Sequence, residues 1–365
     1  MSLITAAVLR EPGGDFALET LTLAAPARDE VRVRLAGTGI CHTDLHIRDG
    51  GLPFPLPAIL GHEGAGIVEA IGTGVSHVQP GDAVVLTFAA CGHCPACRQS
   101  RPPYCEHGQT LNFSGHRDDG SAYATSTGAP VTGRFFGQSS FATHTLAHRS
   151  CVVRVPHDVP LALMGAFGCS LQTGAGAVLR VLEPSAGESI AIFGVGAVGM
   201  AAVMAARIAG CTTIIAVDRH RERLRLAMEL GATCCIDAAS ERPVRRIAEL
   251  TGGGVHGSVE CTGVPDVLTQ AVRVLRVGGS CAMLGLPAVG VEVSLPMLHL
   301  LNGRSVHGVM EGDSDPATFI PQLIGHWRAG RFPFERLLTR FALADVNVAM
   351  AAAKRGDVIK AVVVP

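Results

Sequence analysis

Four cysteines in the order Cys91-x2-Cys94-x2-Cys97-x7-Cys105 lie in a stretch that also contains Gly, Pro and His. Four thiolates this close can close a tetrahedron around Zn²⁺ and leave no position open, which makes a site structural. An iron–sulfur cluster also takes four cysteines and is the chemical rival; the uneven last gap and the dinucleotide motif described below favour zinc. His93 and His107 fall in the same stretch and are surplus to a complete tetrahedron. A second set is dispersed along the chain: Cys41-His42-Thr43-Asp44-Leu45-His46, Gly61-His62-Glu63 and Gly168-Cys169-Ser170. One histidine and two cysteines, His62 with Cys41 and Cys169, could form a catalytic zinc site whose fourth position takes water or substrate. Spacing alone does not establish that they converge. His62 also reads as a core histidine with its bonds satisfied, and Cys169 as a small buried hydrophobe at a domain junction.

A third motif is contiguous. Ser189 to Phe193 reads as a strand feeding directly into Gly194-Val-Gly196-Ala-Val198-Gly199 and then an Ala/Met-rich helix. A second strand ends in Asp218, about 20 residues on, where an acid can bind ribose hydroxyls. Gly194 permits the tight turn, Gly196 lets the backbone approach a pyrophosphate, Gly199 permits close helix packing, and the helix N-terminus attracts the phosphates. A carboxylate at Asp218 accepts hydrogen bonds from a free 2′-hydroxyl and repels a 2′-phosphate, so NAD is expected rather than NADP. Arg219 and Arg223 stand close by; Arg219 reads as a solvated surface charge. The run Gly252 to Gly254 has no preceding strand and reads as a turn.

These motifs need elements to hold them. The first third of the chain alternates short β-branched runs, Val31 to Leu35, Gly66 to Ala70 and Ala83 to Leu86, with Gly and Pro, the pattern of an irregular, mostly β domain. From about Gly174 the texture becomes strand-sized apolar runs separated by helix-length segments such as Met200 to Ala209 and Arg221 to Leu230. That rhythm predicts βαβ units and a parallel sheet. The tail offers helices near Thr318 to Ala329 and Asp345 to Lys354 and a last strand, Ile359 to Val364, expected to rejoin the first domain. The expected boundaries are 1–170, with the cysteine lobe at 91–105, then 171–310, then 311–365.

With 365 residues, Lys+Arg 30 against Asp+Glu 31 and 17% charged residues, no excess charge directs the chain to nucleic acid or an anionic membrane. Hydrophobic residues reach 48%, yet no long apolar segment escapes charges or Gly/Pro breaks, so no spanning helix is expected. The first residues lack a basic start with a long apolar stretch, and twelve cysteines read as free thiols or metal ligands, so a cytoplasmic chain is expected.

Taken together, the sequence resembles the zinc-dependent medium-chain alcohol dehydrogenases. Gly61-His62-Glu63-x2-Gly66-x5-Gly72 matches that family's zinc signature, and the order of Cys41, the four-cysteine lobe, Cys169 and the glycine motif matches its layout. The stretches Gly39 to Leu45, Leu56 to Gly64 and Phe136 to Thr143 look most like the aryl-alcohol (benzyl-alcohol) dehydrogenases and the related enzymes of allylic terpene alcohols such as geraniol. The resemblance implies an α/β fold in which a Rossmann coenzyme domain, a doubly wound parallel sheet, is inserted after a mostly β GroES-like catalytic domain. It implies two zinc ions, one structural and one catalytic on Cys41, His62 and Cys169. Glu63 would lie beneath the catalytic ion and Asp44 would orient the histidine ligand. His42 and Lys360 match positions that contact the pyrophosphate, Asp218 and Arg223 the adenosine ribose, and Thr173 a place beside the nicotinamide, with Val198, Leu286 and Met310 also facing the coenzyme.

The reaction so implied is hydride transfer between a primary alcohol and NAD, with Thr43 accepting the alcohol proton while passing its own to the ribose hydroxyl and His46 delivering it to solvent. Thr87, Phe88, Phe113, Phe135, Leu286 and Met310 are implied pocket walls, and an apolar wall suits benzylic or prenyl alcohols better than polyols. A glutathione-linked formaldehyde dehydrogenase is a further alternative, and a homodimer or homotetramer is expected.

Overall fold

The computed structural model describes residues 2–117 and 120–365. The chain divides into two units. One comprises residues up to Cys169 together with Asp315–Gln322 and Glu335–Pro365; the other comprises Ser170–Ser314 and Leu323–Phe334.

The first unit is mostly β. The strand Glu30–Gly39 is its centre, pairing antiparallel with Glu63–Ile71, His144–His148 and the last strand, Lys360–Val364. Ala83–Leu86 and Val152–Arg154 extend the sheet on one side and Leu338–Ala342 on the other. Val31, Val33 and Leu35 alternate inward against Val68, Val84 and Leu86, the period of two that a half-buried strand requires. A second sheet is built on Ser2–Leu9 and Ala17–Leu23, and its core meets Phe135 and Phe141. The tail strand thus rejoins this unit through backbone hydrogen bonds and brings Lys360 to the end of the strand that leads into Cys41.

The second unit holds a sheet whose strands run in the order Cys234–Asp237, Thr213–Asp218, Ser189–Phe193, Val255–Glu260, Leu275–Met283, Ser305–Gly308, every neighbour parallel. This is the doubly wound order, with its reversal between Ser189–Phe193 and Val255–Glu260. All five residues of Ser189–Phe193 are buried, as expected of a strand covered on both faces. The helix Arg221–Leu230 buries Leu224, Ala227 and Leu230 at helical spacing and turns Arg225 outward between Glu222 and Glu229. Gly252, Gly253 and Gly254 all take positive φ and form a turn. The helix after the glycine motif runs Ala197–Ile208, starting three residues earlier than the apolar run suggests, because Gly196 serves as its N-cap. Among the described residues no single helix is long and apolar enough to cross a membrane.

Candidate active site and metal centres

The dispersed residues converge. Ligand atoms of Cys41, His62, Glu63 and Cys169 all lie within 4.8 Å of one another. Cys41 caps the short helix His42–Arg48, and Asp44 occupies the third helical position. Asp44 is wholly buried and accepts three hydrogen bonds: from the backbone of Cys41 at 2.8 Å, from the backbone of Gly61 at 3.1 Å and from His62 Nδ1 at 3.1 Å. The last bond places the proton on Nδ1 and leaves Nε2 of His62 as the acceptor. Nε2 is buried and has no hydrogen-bond partner. An orphaned acceptor facing two thiols fits a zinc ligand and does not fit a core histidine with its bonds satisfied.

The electrostatics agree. The hydrogen bond with Cys169 holds the Cys41 thiol well below its ordinary value despite burial, with His62 and the Lys360 charge adding to the effect. Burial alone would lower His62, but the charge and hydrogen bond of Asp44, with Cys41, raise it well above the usual imidazole value. Without an ion these shifts favour a Cys41 thiolate beside a protonated His62; a cation at Nε2 would take the place of that proton and leave Nδ1–H on Asp44.

Lys360 Nζ donates to Glu63 Oε1 at 2.5 Å, both groups essentially without solvent. Burial raises the Glu63 carboxyl against the pull of Lys360; Lys360, whose own burial opposes its charge, is kept protonated by Glu63. The pair fills the space beside Gly39, where a Cβ would come within 1.9 Å of Glu63 Oε2 and 3.0 Å of Lys360 Cε. Lys360 is therefore committed to Glu63 in this structure, while His42 is exposed. Thr43 Oγ1 stands 3.8 Å from Cys41 Sγ, and Thr43 and His46 are both half-buried on the same helix.

Aromatic rings surround His62. Phe136 stacks on it with centroids 4.4 Å apart, and Phe135 meets it edge-on at 5.2 Å. Phe113 packs edge-on against Phe136, and Phe54 against Phe135. Phe136 adopts φ +52°, a left-handed conformation unusual for a bulky side chain. Sequence reasoning passed over Phe136 and Phe54 as wall residues. It also passed over Gln138, which is fully buried, donates to the carbonyls of His62 and Thr87 at 2.8 and 2.9 Å and accepts from the Gly64 backbone. No periodicity in the sequence marks these residues. Of the other expected wall residues, Thr87 is wholly buried and donates to the Gly168 carbonyl, and Phe88 packs with Ala90, Cys94 and Cys105 in a cluster that Phe136 also contacts.

Cys91, Cys94, Cys97 and Cys105 likewise bring their sulfurs within 4.8 Å. The Cys91–Cys97 and Cys94–Cys105 separations, 3.9 and 4.0 Å, are close to the edge of a tetrahedron with bonds of about 2.3 Å. Backbone N–H groups of Cys97 and Glu106 lower the Cys94 thiol to about 6, while burial pushes Cys97 up to about 12. Four such sulfurs ionise together only around a cation.

In the second unit, Gly194 has φ +83° and a Cβ at Gly199 would sit 2.0 Å from the Gly194 carbonyl oxygen. The turn closes on the helix because both positions lack a side chain. Asp218 ends its strand nearly buried, accepting from the Val195, Arg219 and His220 backbones at 2.8, 2.7 and 2.9 Å. Arg223 lies on the next helix, and its guanidinium lies 4.0 Å from where a Gly196 Cβ would stand. Thr173 Oγ1 donates to Glu311 Oε2 at 3.4 Å. Val198 is part of the helix after the turn, and Leu286 and Met310 are exposed.

The sequence models for the alcohol dehydrogenase GroES-like domain and the zinc-binding dehydrogenase domain match residues 27–157 and 197–324. The geraniol dehydrogenase of Castellaniella defragrans is 44% identical over 362 residues, covering 98% of this chain and 97% of that protein. The chain belongs to the zinc-type medium-chain alcohol dehydrogenases. Two solved structures share the whole fold: an alcohol dehydrogenase zinc-binding domain protein from Burkholderia ambifaria (TM-score 0.98, 47% identical) and the benzyl alcohol dehydrogenase of Acinetobacter calcoaceticus (TM-score 0.96, 42% identical). Each match covers 100% of this chain and 99% of the other. The fold is accordingly a GroES-like domain with a Rossmann-type domain, and the family's cofactors are zinc and NAD(P).

Proposed function

We propose that this enzyme interconverts benzylic primary alcohols and their aldehydes with NAD. The aromatic wall of Phe54, Phe113, Phe135 and Phe136 around His62 carries this reading, since stacked and edge-on rings favour a flat, conjugated substrate over a polyol. The similarity to a geraniol dehydrogenase supports a second reading, allylic terpene alcohols, whose reacting carbon also adjoins a π system.

Cys41, His62 and Cys169 would hold the catalytic zinc, which when bound supplies Lewis-acid polarisation of the alcohol oxygen. Asp44 fixes the His62 tautomer. Lys360 neutralises Glu63 behind the ligands. The Thr43 hydroxyl accepts the alcohol proton while giving its own to a ribose hydroxyl of NAD, and His46, one helical turn on and partly exposed, takes that proton on to water. The glycine turn and Asp218 bind the adenosine half of NAD, the Asp218 carboxylate disfavouring a 2′-phosphate. The four-cysteine lobe would hold the second, structural zinc. We also propose a homodimer or homotetramer formed through the second unit, where Ser305–Gly308 is the outer strand and Met297, Leu298 and Leu301 expose 85%, 71% and 79% of their surface; sedimentation of a monomer at micromolar concentration would refute this.

The deciding experiment is NADH or NADPH formation with benzyl alcohol, geraniol, ethanol and S-hydroxymethylglutathione. Benzyl alcohol is expected to give the highest kcat/KM with NAD. Preference for geraniol selects the second reading, and preference for ethanol or the glutathione adduct overturns both.

A further inference from the structure

Glu311 belongs to none of the roles above. It lies just past the C-terminal end of the outer parallel strand Ser305–Gly308. Dinucleotides lie across the carboxyl ends of a doubly wound sheet, one mononucleotide in each half. Asp218 marks the adenosine half, so the ends of Val255–Glu260, Leu275–Met283 and Ser305–Gly308 belong to the nicotinamide half.

The backbone there is held in an unfavourable form. Glu311 and Asp313 both have φ +48° and flank Gly312 at +70°, a left-handed run. A non-glycine residue so placed is strained and persists only where its surroundings impose it. Those surroundings are the helix Ser170–Gly176. A Cβ at Gly312 would meet the Gln172 carbonyl oxygen at 2.3 Å, and one at Gly176 would meet the Gly312 carbonyl oxygen at 2.2 Å. The turn is thus seated directly on the helix backbone. Its conformation aims the Glu311 carboxylate at two side chains of that helix: Gln172 Nε2 donates to Oε2 at 3.2 Å and Thr173 Oγ1 at 3.4 Å. Gln172, itself wholly buried, also accepts from Ser314 Oγ at 3.2 Å, so its amide is fixed at both ends. The same turn is held from outside by Arg180, whose Nε donates to the Asp313 carbonyl at 3.2 Å.

We propose that Glu311 is a positioning residue for the nicotinamide end of the coenzyme, orienting the Thr173 hydroxyl and placing a fixed negative charge that favours the oxidised over the reduced ring. The inference rests on the dinucleotide-binding reading given above. The oxidised nicotinamide carries a positive charge that hydride transfer removes. A carboxylate beside it therefore strengthens NAD⁺ binding more than NADH binding, whatever uniform contacts the two forms share.

The test is the pair of dissociation constants for NAD⁺ and NADH, from calorimetry and nicotinamide fluorescence, on the zinc-loaded wild type and E311Q. Glutamine keeps the shape and an acceptor for Thr173 and removes only the charge. E311Q is expected to weaken NAD⁺ binding about 5- to 20-fold and NADH binding about 2-fold or less, an ion-pair-sized effect in a partly shielded site. T173V, which leaves the carboxylate, is expected to weaken both forms alike, and its effect is expected to shrink in an E311A background, where the hydroxyl has lost its acceptor. An unchanged NAD⁺/NADH ratio in E311Q overturns the charge role. Additive effects of E311A and T173V overturn the positioning role. If wild type binds neither nucleotide, the dinucleotide reading itself fails, a result distinct from either. Should E311Q not fold, E311D, which keeps the charge and tolerates the left-handed backbone better, is expected to retain the wild-type ratio; its loss also overturns the charge role.

Discussion

Replacing Asp44 by asparagine tests the ligand-orienting network with almost no change of shape. Oδ2 of Asp44 accepts from the Cys41 backbone, and Oδ1 accepts from both the Gly61 backbone and His62 Nδ1. An asparagine has one oxygen, so its NH₂ must face one of these sets. Facing Cys41, it opposes a donor and loses the helix cap. Facing Gly61 and His62, it strands the Gly61 N–H and finds an acceptor only if His62 accepts at Nδ1, which moves the ring proton to Nε2 and removes the lone pair that a metal needs. Each lost charge-assisted bond is worth about 1.5–3 kcal/mol, so the melting temperature should fall on the order of 5 °C. Loss of such an orienting carboxylate weakens metal binding about 10- to 100-fold, or about 1.4–2.7 kcal/mol. The assay is zinc content after dialysis against graded chelator, with the four-cysteine lobe as internal reference. One zinc of two should leave D44N at a chelator concentration that strips neither from the parent. If D44N keeps both ions to the same concentration and melts with the parent, Asp44 does not fix His62.

Other outcomes follow from the same geometry. Gly199→Ala would place a methyl 2.0 Å from the Gly194 carbonyl oxygen, so NADH affinity measured by fluorescence should fall more than about tenfold while zinc content stays at wild-type level; unchanged affinity would show that the turn tolerates the helix shift. Cys105→Ser should release the zinc of the four-cysteine lobe and lower the melting temperature, and metal analysis finding the parent's zinc content would refute the tetrahedral assignment. Lys360→Met strands the buried Glu63 carboxylate and should cost about 3–5 kcal/mol at neutral pH. Burial already raises Glu63, and without Lys360 its proton becomes stabilising: the variant recovers stability below the unfolded value of about 4.3 and loses it as pH rises through the raised folded value. Denaturation at several pH values checks the sign, and a variant whose deficit shrinks as pH rises would refute it.

Much of the fold was legible because its signals are local. The strand into Gly194, the turn and the acid at Asp218 are contiguous or one βαβ unit apart, and the βαβ rhythm implies a parallel sheet. Helix Arg221–Leu230 matched to the residue because its apolar spacing and its stop at Gly231 are both written in the chain. The Ala197–Ile208 helix began earlier than expected because Gly196 caps it, and a capping glycine resembles any loop glycine until the backbone is seen. Around the candidate site, the gaps that mattered were long ones. Phe136 entered the ring cluster around His62 through a left-handed backbone that no propensity announces, and it also packs on the cysteine-lobe core that holds Phe88. Lys360 pairs with a carboxylate 297 residues away, a contact made by the last strand's antiparallel pairing with Glu30–Gly39.

By itself, then, the sequence determined which chemistry was available: four closely spaced thiols, a glycine turn with its acid, and a dispersed histidine and two cysteines whose convergence it left open. Short-range spacing suffices for the first two because backbone geometry over a few residues is nearly the same in every protein. Tertiary structure alone decided that His62 turns Nε2 toward Cys41 and Cys169, since that depends on Asp44 accepting from Nδ1 across a gap of 18 residues. It also decided that Lys360 lies on Glu63 and that the Glu311 carboxylate reaches back over 138 residues to Thr173. Protonation, tautomer and charge pairing are set by whichever groups the packed interior holds within about 3 Å, and distance along the chain carries almost no information about that.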